Sequence, residues 1–247
     1  MHSAKRLNNR QEDVLRIVVN SHVQSALPVG SAKVAEMLGL SSATIRNVMV
    51  ELEEMGYIAH PHTSAGRMPT DEGYRYYIDS LMQIRELSGN IIDSIVEKYR
   101  RDIYSTEDVM ERTSGLISDL TRYVGITVEL CSERVYFDGA SHILEQPEFR
   151  DFKKLQNIFR CLEDKISMLH FLCDDVEDGR LAISIGKENK LSNFKDCTVV
   201  SRGYKRRGKA SGRLGVIGPK RMVYEKVVPM VGFLADMVSR VIDEIDD

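Results

Sequence analysis

The sequence predicts an α+β fold, with a helix-rich first part and a later part in which strands and helices alternate. Three observations carry this. Up to about residue 122 apolar residues recur three and four apart, the spacing of buried helix faces. After Val124 short runs rich in β-branched and aromatic residues take over. With 43% hydrophobic and 29% charged residues the balance is that of an ordinary globular protein, which excludes a collagen-like or wholly disordered chain. A chain of 247 residues suits one large domain or two modest ones.

The elements follow in order. A first helix is predicted over residues 10–23, with Val14, Leu15, Val18, Val19 and Val23 on one face and Asn8 and Asn9 as caps. Pro28 closes that region. A short helix then runs to Leu38, with Ser31 as N-cap, Val34, Ala35 and Leu38 inward, and Gly39 as the stop. Ser41 or Ser42 caps a third helix whose stripe is Ile45, Val48, Met49, Leu52 and Met55, and Gly56 ends it. Two helices joined by a short Gly-containing turn make a helix-turn-helix. Residues 57–60 read as a strand, 63–66 as a turn, and Arg67-Met68 as a return strand before Pro69, which together form a wing. Thr70 or Asp71 caps a further helix.

From residue 71 to about 122 the pattern stays helical, with Gly73, Gly89 and Gly115 as interruptions. This stretch reads either as a connector with dimer contacts or as helix packed on its own domain. Beyond it, residues 126–130, 134–137, 181–185, 198–204 and 213–217 read as strands, and 149–163, 165–173 and 226–245 as helices. Residues 205–213 read as a basic hairpin turn. The terminal helix has a wide apolar stripe that includes Leu234 and Val241, suited to a core and in part to a partner chain.

The formal net charge of −3 does not advertise a polyanionic partner for the whole molecule, so any nucleic-acid face must be local. If Ile45, Val48, Met49 and Leu52 face inward, then Ser42, Ala43, Arg46, Asn47 and Val50 fall on the opposite side. Arg46 can bond guanine bidentately and Asn47 adenine, and Ser42 and Thr44 can bond phosphate near the helix N-terminus. The alternative is a solvated polar helix face. On the wing, His60, His62, Thr63, Ser64 and Arg67 form a cluster able to follow a DNA backbone, and a solvated loop or half a metal site is the competing reading.

The sequence offers no phosphate-binding Gly-Lys-Ser/Thr loop, no Gly-x-Ser-x-Gly elbow and no His-Glu-x-x-His, so no enzymatic activity, catalytic residue, metal or cofactor is expected. Cys131, Cys161, Cys173 and Cys197 form no close ligand pair and read as reduced and mostly buried. With His142 and His170 they could instead line the pocket of a ligand or redox sensor. The acidic run Asp174, Asp175, Glu177 and Asp178 reads as a solvated loop. No apolar run is long enough to span a membrane and the start lacks a signal peptide's apolar core, so the expected location is cytoplasmic.

Several runs appear in a fixed order: Pro28-Val29-Gly30-Ser31, Ser42-Ala43-Thr44-Ile45-Arg46-Asn47, Pro61-His62-Thr63-Ser64-Ala65-Gly66-Arg67, Pro69-Thr70-Asp71 and Gly73-Tyr74-Arg75-Tyr76-Tyr77. This set resembles the HrcA family of bacterial heat-shock transcription repressors. The second half is similar to that family too, through Val135-Tyr136-Phe137-Asp138-Gly139, Gln146-Pro147-Glu148-Phe149 and the stretch from Leu214 through Arg221 to Tyr224.

The resemblance implies a winged helix-turn-helix DNA-binding domain over residues 1–77, a helical connector over 78–122 and a reduced GAF-like regulatory and dimerisation domain over 123–247. It implies a homodimer that represses chaperone genes at an inverted-repeat operator called CIRCE, with support from the GroEL chaperonin. Family members carry more sequence between the Leu120–Thr127 region and the run at Val135, including an inserted dimerising domain, whereas here Leu130 leads almost directly to Val135.

Overall fold

The computed structural model describes residues 6–61, 65–99, 103–173 and 179–246. The chain divides into two compact units, Met1–Gln83 with Lys220–Val223, and Ile84–Pro219 with Tyr224–Asp247.

The first unit contains α1 (Asn9–Ser25), α2 (Ser31–Leu38), α3 (Ser42–Glu54), β1 (Ile58–Ala59), β2 (Met68–Pro69) and α4 (Asp71–Tyr76), which continues as a wider π turn, Tyr77–Leu81. Asn8 opens α1 through a capping box: its side chain accepts from the Gln11 amide at 3.0 Å, and the Gln11 side chain accepts from the Asn8 amide at 3.0 Å. Gly30, not Ser31, is the N-cap of α2, because Ser31 already lies inside the helix and turns its hydroxyl to Ser42 Oγ at 3.0 Å. The core is apolar and closed, with Val14, Leu15, Val18, Val19, Val34, Ile45 and Leu52 fully buried.

The tyrosines of α4 and its π turn fasten them to α1 by their hydroxyls as well as their rings. Tyr74 Oη lies 2.6 Å from His22 Nδ1, Tyr76 donates to Glu12 at 2.9 Å, and Tyr77 donates to Asn20 at 2.8 Å. Gly73 does not interrupt the helix: a Cβ there would run into the Tyr57 carbonyl, so the glycine lets α4 lie against the foot of the hairpin. Lys220 belongs to this unit, with Nζ 2.7 Å from Asp71 Oδ1.

The second unit contains α5 (Gly89–Tyr99), α6 (Thr106–Thr121), β3 (Val124–Glu129), β4 (Arg134–Asp138), α7 (Ser141–Glu145), α8 (Phe152–Glu163), α9 (Lys165–Cys173), β5 (Leu181–Ile185), β6 (Cys197–Arg206), β7 (Lys209–Pro219) and α10 (Tyr224–Ile245). Its sheet is antiparallel, in the order β4-β3-β7-β6-β5. All of β3 is buried because helices cover both faces. Val124, Ile126 and Val128 pack with Ile158, Leu162, Met168 and Leu172 of α8 and α9. On the other face Thr127 donates to the Met110 carbonyl of α6 at 3.0 Å.

The sequence reading and the structure differ most in three places. Residues 147–149 form a separate 3₁₀ turn, and α8 starts at Phe152 because Asp151 caps it by accepting from the Lys153 amide at 2.8 Å. The basic turn is far shorter than residues 205–213. Arg206 pairs with Lys209, leaving only Arg207 and Gly208 as the turn, with φ of 50° and 75°. Two positive φ values give the type I′ turn whose twist matches that of the strands. Gly115 lies within α6 without breaking it.

Between β3 and β4 only residues 130–133 intervene, since Glu129 pairs with Arg134. The stretch in which the sequence departs from the family pattern is therefore closed by a direct hairpin.

Candidate nucleic-acid interface

Helix α3 is built from its cap upward. Ser41, not Ser42, is the N-cap and accepts from the Thr44 amide at 3.0 Å, while its hydroxyl lies 2.8 Å from Thr44 Oγ1. The inner face is Ile45, Val48, Met49 and Leu52, all buried. This fixes the rotation of the helix, so Ala43, Arg46, Asn47 and Val50 stand exposed on the opposite side, with Ser42 and Thr44 half-buried beside them. The Arg46 and Asn47 side chains have no hydrogen-bond or ion-pair partner among the described residues. They point their donors and acceptors outward, next to a helix N-terminus that itself favours negative charge.

The wing is small and stitched at its foot. In the ladder of β1 and β2, Ile58 faces Pro69 and Ala59 faces Met68. A further bridge joins Arg67 to Val29, with Val29 N donating to Arg67 O at 2.8 Å and Arg67 N to Val29 O at 2.9 Å. Gly66 makes that approach possible, because a Cβ there would lie 2.5 Å from the Val29 carbonyl carbon. Thr70 caps α4 and donates to the Gly56 carbonyl at 2.6 Å, holding the end of the return arm against the end of α3.

Of the wing residues singled out in the sequence, His62, Thr63 and Ser64 lie outside the described residues. Arg67 is not an open cation. Its Nη2 lies 2.8 Å from Glu53 Oε2, its Nη1 lies 3.2 Å from His60 Nδ1, and its side chain is only 14% exposed. Sequence reasoning missed Glu53 and Val29 as parts of this module. Gly66 immediately before Arg67 is the local signal of a close backbone approach.

Most of the module matches a known domain family. Residues 6–81 match the family described as "Winged helix-turn-helix transcription repressor, HrcA DNA-binding". Residues 127–228 match "HrcA protein C terminal domain". A heat-inducible transcription repressor HrcA of Chlorobium phaeobacteroides (strain BS1) is 32% identical, over 94% of this chain and 97% of the relative. This chain belongs to the HrcA family. The HrcA of Brevibacillus brevis is 28% identical, over 96% of this chain and 98% of its own length. That alignment runs to 336 positions against a chain of 247 residues, so at least 89 of its positions face a gap here. A crystal structure described as that of a hypothetical protein superposes with a TM-score of 0.81 at 20% identity, over 97% of this chain and all of that one, and shares the fold.

The cysteines of this HrcA-family chain are mostly withdrawn from solvent. Cys161 and Cys197 are buried in the core of the second unit, Cys173 is partly buried and Cys131 is exposed. Burial pushes the Cys161 thiol up, away from the reactive thiolate. Among the described residues no group of three His, Cys, Asp or Glu is placed to hold a metal ion. No helix among them is long and apolar enough to cross a membrane. The acidic run of Asp174, Asp175, Glu177 and Asp178 lies outside the described residues.

Proposed function

We propose that this protein is a cytoplasmic, sequence-specific repressor that binds an inverted-repeat, CIRCE-like operator of heat-shock genes as a homodimer. The observation that carries the reading is the outer face of α3, where Arg46 and Asn47 stand exposed and unpartnered among the described residues, opposite a fully buried stripe. Arg46 reads guanine through its two acceptors and Asn47 reads adenine, each worth roughly 1–3 kcal/mol of discrimination. Ser42 and Thr44 take phosphates at the helix N-terminus, and Ala43 is small enough to let the helix approach a thymine methyl. The DNA backbone is assigned to His62, Thr63 and Ser64, and Arg67 serves the wing from its base.

Heat-shock genes are the targets because the matched relatives are named heat-inducible repressors. A folding partner of the GroEL type fits a repressor whose DNA-competent state gains population when it is bound. The homodimer is seated on the second unit, in a groove of about 650 Å³ between α5 and α10 lined by Val96, Tyr99, Tyr104, Met237 and Val241. Arg240 and Glu244 edge the groove four residues apart on α10, so two copies crossing antiparallel pair each charge with its opposite.

Footprinting of the full chain on a duplex carrying the inverted repeat tests the reading. Protection of two half-sites about one helical turn apart, or a multiple of it, is the expected result. Equal protection of scrambled DNA, or none at all, would remove the operator assignment.

A further inference from the structure

The geometry points to Glu53 as a positioning residue for DNA binding, whose carboxylate fastens Arg67, and through it both arms of the wing, to the end of α3. This rests on the operator-binding reading and adds a residue and a division of labour to it.

The wing needs such a fastening. Its ladder is only two pairs long, Ile58 with Pro69 and Ala59 with Met68. An isolated two-stranded hairpin is marginal in water, so its angle must be set by contacts outside the ladder. Thr70 ties the foot to the Gly56 carbonyl, and Val29 ties the backbone of Arg67 to the α1–α2 loop. Glu53 supplies the tie to the recognition helix. Its Oε2 lies 2.8 Å from Arg67 Nη2 on the return arm and 3.8 Å from His60 Nε2 on the outgoing arm. His60 Nδ1 lies between the Ala65 carbonyl at 3.0 Å and Arg67 Nη1 at 3.2 Å, and it serves the one as donor or the other as acceptor, according to its tautomer. One carboxylate therefore reaches both arms.

The charges agree with this placement. A bare carboxylate on a module that approaches phosphates is repelled, and Glu53 is 31% exposed. Paired with Arg67 it adds no net charge, and Arg67 in turn has none left for DNA. The terminal nitrogens of Arg67 lie against Glu53 and His60, and its Nε is buried without a hydrogen-bond partner among the described residues. A phosphate could reach this guanidinium only by displacing Glu53. Of the two arginines, Arg46, with no partner among the described residues, is the one left for the duplex.

The test is a salt titration of operator affinity for the full-length protein and its variants Glu53→Ala, Glu53→Gln, Arg67→Ala and the double Glu53→Ala/Arg67→Ala. Glu53→Ala and Arg67→Ala are each expected to weaken binding on the order of tenfold, and the double variant no more than either alone. Glu53→Gln keeps an acceptor and falls between wild type and Glu53→Ala. The salt slope of Arg67→Ala stays at the wild-type value, whereas loss of a phosphate contact lowers it by about 0.9. A charge swap, Glu53→Arg with Arg67→Glu, restores part of the affinity, which a general loss of stability would not allow.

Tighter or unchanged binding by Glu53→Ala, an additive double variant, or a slope reduced by about 0.9 in Arg67→Ala would overturn the proposal. Amide exchange at Ala59 and Met68 in the DNA-free protein separates it from the operator reading. Faster exchange in both single variants supports the brace even if the wild type binds no operator, and unchanged protection refutes it.

Discussion

Arg46 and Arg67 carry the same charge on the same module and live in opposite surroundings. Arg46 stands on the outer face of α3 with no partner among the described residues. Arg67 sits at the base of the wing, 14% exposed, against Glu53 and His60. A count of basic residues would score them alike. On the reading proposed above, one belongs to the duplex and the other to the architecture that presents it, because a guanidinium already engaged by a carboxylate neutralises no phosphate when DNA arrives. On that reading a DNA-reading face is recognised by donors without partners rather than by charge. A net charge of −3 is no obstacle to such a face.

The contrast between the two arginines is broken most severely at Gly66. Gly66→Val places a side chain 2.5 Å from the Val29 carbonyl carbon, so the bridge to Arg67 must open. We expect the first unit to lose about 3 kcal/mol, the upper range for overpacking. Chemical denaturation reads this, and a loss under about 1 kcal/mol would mean that the bridge does not hold the wing. Arg46→Ala comes next. It should leave stability unchanged and remove roughly 1–3 kcal/mol of discrimination between operator and scrambled DNA, measured by competition binding. Asn47→Ala should do the same at a different base position, so a base-by-base operator scan ought to show two distinct relaxed positions. If both variants relaxed the same one, Arg46 and Asn47 would not be reading separate bases from the outer face of α3.

The smallest effect is expected at Thr70, which holds the foot of the wing by its cap and its bond to Gly56. Thr70→Ala should cost about 1 kcal/mol in thermal unfolding, the usual loss when an N-cap is removed. It should leave the operator-to-scrambled ratio intact. A change in that ratio without a loss of stability would place specificity in the wing rather than in α3.

Much of the module was legible in the sequence for physical reasons. Helices α1 to α3 announce themselves because a buried face repeats every three to four residues, and caps such as Asn8 and Ser41 bracket the runs. The exposure of Arg46 and Asn47 follows from that phase alone. The Val29–Arg67 bridge leaves no such trace, since a single pair joining residues far apart in sequence has no period. The Glu53–Arg67 contact spans a hairpin and is equally silent. Tyr74 and Tyr77 stand three apart, a helical spacing, but their hydroxyl partners His22 and Asn20 belong to another helix.

In the second unit the strands of the sheet were readable from composition. The turn at Arg207-Gly208 was overestimated because basic residues look like loop, although Lys205, Arg206 and Lys209 are paired in strands. The apolar pattern runs back through Phe149 and suggests an earlier start for α8 than the Asp151 cap allows.

Which arginine meets the bases is the central question, and one measurement addresses it directly. The ratio of operator affinity to scrambled-DNA affinity is determined at a single salt concentration for the wild type, Arg46→Ala and Arg67→Ala. The wild type should show a specific preference of roughly a thousandfold or more. Arg46→Ala should lose between about tenfold and a hundredfold of it. Arg67→Ala should lower affinity without collapsing the ratio as far. An Arg46→Ala protein that keeps the wild-type ratio, beside an Arg67→Ala protein that loses it, would contradict the assignment.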